Sequence, residues 1–136
     1  MLKRIVACMA LMVSIHHLSA QDWILLYEDD SQKNYIKSTF ESSKTLDSGG
    51  KLITVWTKDS FAKLPFNGKD YPNGTVNALW VIDCKGKKVK ISSVVYHNSN
   101  GDVLAKQTVK DNTWREVAPQ TSQELVLIKA CELMDK

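Results

Sequence analysis

The sequence predicts an α+β fold: an antiparallel β-sheet meander of about six strands, with one C-terminal helix packed on it and tethered by a disulfide. Three observations support this class. Segments of alternating apolar and polar residues, separated by turns rich in glycine and asparagine, fill the middle of the chain. One segment with the apolar spacing of a helix follows at the end. Two cysteines, Cys84 and Cys131, lie at the end of a predicted strand and within that helical segment.

The first 20 residues have the layout of a signal peptide. Lys3 and Arg4 form a positive start, and residues 5–15 form an apolar run that ends at small residues. This run is too short for a transmembrane helix, which needs about 20 apolar residues. We expect residues 1–20 to direct export and residues 21–136 to form one domain in the periplasm, on the outer-membrane surface or secreted.

Lipid attachment is the alternative for this segment, because Ile5–Cys8 resembles the motif before a lipidated cysteine in bacterial lipoproteins. Only a few residues precede Cys8, which leaves almost no apolar core ahead of it. A cleaved signal peptide is therefore favoured.

Three strands are predicted in the next part of the chain. Trp23–Glu28 is apolar and aromatic, Asn34–Thr39 is short, and Lys51–Lys58 has the β-branched alternation that strands favour. The acidic residues Glu28–Asp30 separate the first two. Adjacent carboxylates can bind calcium, but the interleaved oxygen ligands of a calcium loop are missing, so a solvated turn is expected.

The segment Ser60–Gly74 interrupts this pattern and is predicted to be a long loop. It contains Phe61, Phe66 and Tyr71 among asparagines and glycines. A long loop with aromatic residues is either tucked against the core or used for binding. Packing against the core is favoured, and the three aromatic residues are the candidates for a binding loop.

Three more strands follow. Thr75–Cys84 has apolar residues on both faces, which predicts a central strand covered on both sides. Val89–Val95 alternates, and Val103–Lys110 follows as the last strand. A hairpin loop at Asn98–Asp102 joins them, with Gly101 free to take positive φ.

That hairpin loop also contains the residue types of a catalytic triad, His97, Ser99 and Asp102. The loop is too short to place a base between a nucleophile and an orienting carboxylate, and turns favour these residues anyway. No catalytic residue is therefore predicted.

The C-terminal segment is predicted to be a helix. Thr121 and Glu124 have the spacing of a capping box, and Pro119 stands upstream, where it does not break the helix. Leu127, Ile128, Cys131 and Met134 recur at spacings of three and four, so this face is expected to point inward.

The charge of the exported part excludes several partners. The whole chain carries 18 basic and 15 acidic side chains, and cleavage removes Lys3 and Arg4, so the net charge falls from +3 to +1. Nucleic acid is therefore not an expected partner. His97 is the one histidine beyond residue 20, which rules out a two-histidine metal site within one chain. No metal or other cofactor is predicted.

The cysteine count favours a structural disulfide. Cleavage removes Cys8 and leaves Cys84 and Cys131, an even pair that an oxidising compartment would join. A redox-active pair is the alternative, but the two lack Cys-x-x-Cys spacing. A bond that closes a loop of this length stabilises a fold by about 4 kcal/mol.

Motifs along nearly the whole of residues 21–136 resemble the surface-adhesin protein E family of bacterial secreted proteins. They include Trp23, Tyr35-Ile36, Val55-Trp56, Asp83-Cys84, Tyr96 to Gly101, Trp114-x-x-Val117-x-Pro119 and the helix with Cys131. Two positions depart from the family pattern: His97 replaces a serine, and Gln120-Thr121 replaces a Gly-Ser-like pair.

This resemblance implies an antiparallel sheet with a C-terminal helix tied to it by a Cys84–Cys131 bond, and export to the periplasm or cell surface. It also implies binding of host matrix or plasma proteins such as vitronectin and laminin, although the binding residues do not match onto this chain. The roles of Trp114 and Pro119 are interpreted as structural.

Two functions are therefore considered, neither of them enzymatic. The first is an adhesin-like module that binds a host matrix or plasma protein, or an envelope protein, and that also has the option of pairing into a homodimer. An exposed sheet edge or apolar patch would favour it. The second is a periplasmic binding or inhibitor module that acts on a hydrolase or envelope protein. A protruding, ordered segment at residues 60–74 would favour that one.

Overall fold

The computed structural model describes residues 22–135. The predicted signal peptide, residues 1–20, lies outside the described residues. Among the helices of the described part, none has the length and apolar character needed to cross a membrane.

Ten strands and one helix make up the described chain. In chain order they are β1 (Trp23–Glu28), β2 (Gln32–Lys37), β3 (Ser42–Thr45), β4 (Lys51–Phe61), β5 (Lys63–Phe66), β6 (Lys69–Pro72), β7 (Thr75–Asp83), β8 (Lys88–His97), β9 (Val103–Thr108), β10 (Arg115–Glu116) and α1 (Ser122–Met134).

Eight of the strands form one antiparallel sheet with the order β1-β2-β4-β7-β8-β10. β3 pairs with the part of β4 that extends past the end of β2. β9 and β10 lie on the same side of β8 and pair with different halves of it. The predicted α+β class is confirmed. Two strands of this sheet were not predicted from the sequence, β3 and β10; both are short and polar and lack the alternation that marks the others.

The segment between β4 and β7 is a hairpin rather than an irregular loop. β5 and β6 pair across Asn67 and Gly68, whose φ angles of 49° and 74° suit a tight hairpin turn. The register of the central pair, with Ser60 opposite Thr75, continues unchanged to Lys63 opposite Pro72. β4 to β7 is thus one long hairpin whose outer part, residues 61–74, we name the arm.

Aromatic contacts hold the arm against the sheet. The ring of Phe66 lies 4.9 Å from that of Tyr96 in β8 and 6.4 Å from that of Tyr71. Leu64 is buried against the backbone of Gly74. This arrangement agrees with the favoured interpretation, in which the aromatic residues of the segment pack against the body of the protein.

The core lies between one face of the sheet and α1. Alternate residues of β4 and β7 point to this side, and Val126, Leu127 and Ala130 of the helix pack on them. The indole Nε1 of Trp80 donates to Thr57 Oγ1 at 2.7 Å, which satisfies the one polar atom that the tryptophan brings into the core.

The opposite face of the sheet, which we name the open face, has no layer over it. Leu79 and Val81 of β7 and Trp56 of β4 are half-buried there by their neighbours in the sheet. Within residues 22–135 no helix or further strand packs on them. The prediction that β7 is covered on both sides is therefore wrong for the described part of the chain, whose one helix covers one side.

The helix begins as predicted. Thr121 is its N-cap, with φ −113° and ψ 162°, and Thr121 Oγ1 accepts from the backbone N–H of Glu124 at 3.3 Å. The Glu124 carboxylate reaches back to the backbone N–H of Gln120 at 3.4 Å. The predicted inward face is partly wrong, because Ile128 is 54% exposed while Val126 and Ala130 are buried. The helix is rotated so that its inner face centres on Val126, Leu127 and Ala130.

A disulfide joins Cys84 to Cys131, as predicted, with the two Cα atoms 5.8 Å apart, inside the usual range. Cys84 follows the last residue of β7, so the bond fixes the C-terminal half of α1 to the end of the central strand. Nearby, the Lys51 ammonium pairs with the Asp135 carboxylate just after the helix.

Loss of this disulfide should destabilise the protein by about 2–5 kcal/mol. We expect the Cys84→Ser, Cys131→Ser double variant to show this loss in urea unfolding, because the unfolded chain regains the freedom that the bond removes. Wild-type protein in reducing agent should match the double variant, which itself should not respond to reducing agent. Equal unfolding midpoints for oxidised and reduced wild type would contradict this prediction.

The close packing around Gly74, at the end of the arm, yields a second prediction. A Cβ atom at residue 74 would lie 2.7 Å from Leu64 Cβ and 3.2 Å from the backbone oxygen of His97. Gly74→Ala should therefore cost about 1–3 kcal/mol through overpacking. Gly50→Ala is the matched control, since its Cβ would make only ordinary contacts of 3.5–3.7 Å. A thermal melt in which both variants shift equally would refute the proposed crowding.

Candidate binding surfaces

The tryptophans divide between the two faces of the sheet. Trp80 lies in the core, whereas Trp23 and Trp56 occupy positions of the open face. Trp114 precedes β10 and lies over Lys90, an open-face residue, with the ammonium 4.5 Å from the ring centroid. Three of the four tryptophans are thus available at the surface rather than used for the core.

The other motif residues lie in turns and packing contacts. The Asp83 carboxylate accepts from the backbone N–H of Gly86 at 3.0 Å and closes the β7–β8 turn. The ring of Tyr96 packs against that of Phe66 in the arm. Gly101 has a φ of 83° in the β8–β9 turn. Pro119 lies two residues before the helix cap.

The residues that resemble a triad do not form one. The Asp102 carboxylate accepts from the side-chain amide of Asn98 at 3.1 Å, and Asn98 Oδ1 accepts from the backbone N–H of Asp102 at 2.9 Å. These bonds build the turn. Neither His97 nor Ser99 donates a side-chain hydrogen bond to this carboxylate.

The outer edge of β1 is the best-formed docking feature of the described chain. β1 pairs with β2 on one side only, so its other side presents backbone N–H and C=O groups without a strand partner in residues 22–135. Such an edge is a template for pairing with another chain. β1 carries no proline, and five of its six residues, Trp23 to Tyr27, are apolar or aromatic.

Exposed apolar side chains flank this edge. Leu25 is 45% exposed on the open face, and Tyr27 is 42% exposed on the helix side. Leu125 (38%) and Ile128 (54%) of the helix are also exposed. Tyr27 and Leu125 line one open cleft of about 490 Å³ between the β1–β2 turn and the start of α1. We name Leu25, Tyr27, Leu125 and Ile128 the edge patch.

The turn beside this patch is ordered by one carboxylate. Asp29 accepts from the backbone N–H groups of Ser31 and Gln32 and from the hydroxyls of Ser31 and Tyr27, at 2.8–2.9 Å. The bonds from Ser31 are the main cause that lowers the pKa of Asp29 to about 2. The hydrogen bond that the Tyr27 hydroxyl donates to Asp29 raises the pKa of Tyr27. The acidic turn is thus held together by hydrogen bonds between its own residues.

A second carboxylate lies half-buried under the helix start. Burial raises the pKa of Asp59, and the hydrogen bond from Asn34 Nδ2 at 2.5 Å opposes this rise. Asp59 and Asn34 line a cavity of about 40 Å³ with Ser122 of the helix. This cavity is too small for anything larger than water and carries no ligand argument.

The three candidate residues of the arm are half-buried. Phe66 and Tyr71 contact each other, and Phe61 sits where the arm leaves the sheet, with its backbone N–H bonded to the carbonyl of Gly74. The exposed tip consists of Asn67, Gly68 and Lys69. The Asn67-Gly68 pair is a sequence signal for a hairpin turn that the loop prediction did not use.

The Asp29 contacts predict a pH dependence in this turn. Its pKa is lowered by folding, so its contribution is complete above about pH 4 and is lost as the pH falls through about 2. The amide protons of Ser31 and Gln32 should move together in a two-dimensional NMR titration over that range. Asp29→Asn should abolish the transition; persistence of the transition in this variant would assign it to another group.

One protein-family model matches the chain. The model described as surface-adhesin protein E matches residues 23–132, which include both bonded cysteines and all four tryptophans. Searches among curated proteins and among solved structures found no match. Because the match covers most of the chain, this protein belongs to the surface-adhesin protein E family, a family of surface or secreted adhesins.

Proposed function

We propose that this protein is an exported adhesin-like module that binds a host matrix or plasma protein through the outer edge of β1 and the edge patch. The single observation that carries the proposal is an unpaired edge strand with exposed apolar side chains on both of its sides. The match to an adhesin family supports binding rather than catalysis as its role.

The chemistry of the edge suits a protein partner. An added strand would satisfy the free N–H and C=O groups of β1, while Leu25 and Tyr27 would contact alternate side chains of that strand. Leu125 and Ile128 of the helix would extend the apolar contact beyond the sheet edge. Exposed apolar residues gathered at one edge, rather than scattered, are typical of an interaction site.

The same edge supports a homodimer as a second use. Two copies of β1 can pair antiparallel about a twofold axis, which places the edge patch of one copy against that of its partner. In that arrangement the edge is occupied, and binding of another protein competes with dimerisation. Size-exclusion chromatography with light scattering separates the two arrangements in the same samples used for binding.

Export completes the proposal. Residues 1–20 are proposed to be a signal peptide and residues 21–136 the exported domain, which agrees with a disulfide bond that an oxidising compartment maintains. Protease treatment of intact cells should release the domain if it is on the surface.

A periplasmic binding or inhibitor module is the second candidate, and the ordered arm favours it. The tip residues Asn67, Gly68 and Lys69 are exposed at the end of an ordered hairpin whose strands continue the register of the central pair. Such a hairpin suits insertion into the cleft of a hydrolase or an envelope protein.

One pair of variants tests the edge. Leu25→Lys places a charge on the edge and should weaken binding to immobilised vitronectin or laminin by at least about tenfold, because a contact in the centre of an interface is lost. Val103→Lys is the matched control, since Val103 is 60% exposed on β9, another strand with a free edge. It should change binding by less than about twofold.

The results distinguish the candidates. Equal losses in both variants, or no binding of wild type to either matrix protein, would refute docking at β1. Capture of an envelope protein that is lost on Lys69→Ala but kept in Leu25→Lys would support the second candidate instead.

A further inference from the structure

The open face combines aromatic rings with lysines. By strand register it carries Trp23, Tyr35 and Trp56, and Trp114 joins it beside Lys90. All four side chains are half-buried, with no element of residues 22–135 over them. The edge patch and the arm do not use these rings, apart from the shared strand β1.

Lysines alternate with the rings across neighbouring strands. Lys37 lies opposite Trp23, and Lys58 lies opposite Tyr35. The Lys58 ammonium is 4.6 Å from the ring centroid of Trp23 and 4.8 Å from that of Tyr35. Lys58 thus makes cation–π contacts with both rings, and Lys90 makes one with Trp114. The open face therefore has aromatic rings and ammonium groups side by side.

The charge on this face differs from that on the rest of the molecule. Residues 22–135 contain 15 basic and 15 acidic side chains, so the described chain is neutral. Seven lysines share the open face with only four carboxylates, those of Glu28, Glu41, Asp83 and Glu116. The remaining surface therefore carries the excess of acidic groups.

Most of these lysines have no carboxylate partner. Lys33 pairs with Glu28 at 3.7 Å. The other six form no ion pair within residues 22–135; they are Lys37, Lys44, Lys58, Lys88, Lys90 and Lys106. Two of the four carboxylates are also engaged, Glu41 by the indole N–H of Trp56 at 3.0 Å and Asp83 by the backbone of Gly86. Within residues 22–135 the positive charge of these six lysines is therefore not neutralised by a carboxylate, and Lys37, Lys58 and Lys90 lie against aromatic rings instead.

We propose that the open face binds a sulfated polysaccharide, a glycosaminoglycan chain of the extracellular matrix. Aromatic rings offer flat apolar surfaces to the C–H faces of sugar rings, and the ammonium groups between them pair with sulfate and carboxylate groups. The surface or secreted location in the proposed function would expose this face to such chains. The inference rests on the surface location in the proposed function but uses the rings and lysines of the open face rather than the strand edge of β1.

The cations of the open face are all of one type. Every cation assigned to the open face is a lysine, a compact point charge that suits separate anionic groups along a chain. Arg115, the one arginine in residues 22–135, lies opposite the core residue Val89 and so on the other face. The planar fork of arginine is the side chain that phosphate recognition favours.

Binding of the exported protein to immobilised heparin tests the proposal. Wild type should be retained at about 0.15 M NaCl and released by higher salt, because the contacts are partly screened ionic ones. The triple variant Lys37→Gln, Lys58→Gln, Lys90→Gln should lose at least about tenfold in affinity. A control triple, Lys63→Gln, Lys69→Gln, Lys129→Gln, has the same net charge with the changes on the arm and helix, and should change affinity by less than about twofold.

Two further measurements identify the ligand class. Heparin should shift the fluorescence of the surface tryptophans, whereas neutral dextran should not. A Trp23→Leu variant with an unchanged melting temperature should lose part of that shift. Equal losses of heparin affinity in the two triple variants would show that binding depends only on the net charge of the protein, and this result would overturn the proposal. Equally strong binding of single-stranded DNA through the same three lysines would overturn it in favour of a nucleic-acid site.

The same variants also distinguish glycosaminoglycan binding at the open face from protein docking at the edge of β1. Leu25→Lys should abolish docking of a protein at β1 yet keep or strengthen heparin binding, since it adds a cation beside the open face. The open-face triple variant should do the reverse. If both variants lose both ligands, a single shared site at β1 replaces the two surfaces.

Discussion

The covering of one sheet face by one short helix is the constraint on which the rest of the structure depends. A helix of 13 residues is marginal alone, so α1 is secured at both ends, by the Thr121 cap at its start and by the Cys84–Cys131 bond near its finish. Val126, Leu127 and Ala130 then bury the inner face of the central strands. Residues 22–135 contain no second helix, so within them the other face and the outer edge of β1 have no covering layer. These are the surfaces to which we assign function.

Much of this fold follows from local patterns in the sequence. The capping spacing of Thr121 and Glu124 placed the start of the helix, and the even cysteine pair identified the tether. Ile128 was misplaced, because spacings of three and four fit several adjacent helix faces and only packing against the sheet selects one. The arm was predicted as a loop because its aromatic residues obscured the Asn67-Gly68 turn signal.

The candidate surfaces were less predictable than the fold. Alternation in β4 separates Trp56 and Lys58 from Val55 and Thr57, but it does not say which set faces the helix. Whether a strand lies at an edge depends on the strand order, which adjacent turns determine only in part. Tyr27 and Leu125 line one cleft although they are far apart in sequence, and no local pattern connects them.

The unequal division of charge between the two sides of the sheet has a consequence before any contact is made. A neutral molecule with lysines on one side and an excess of carboxylates on the other has an electric dipole across its thickness. In the field of a negatively charged surface such a molecule rotates as it diffuses, and its lysine-bearing side arrives first. The capture rate would then rise with falling ionic strength even though the net charge is near zero.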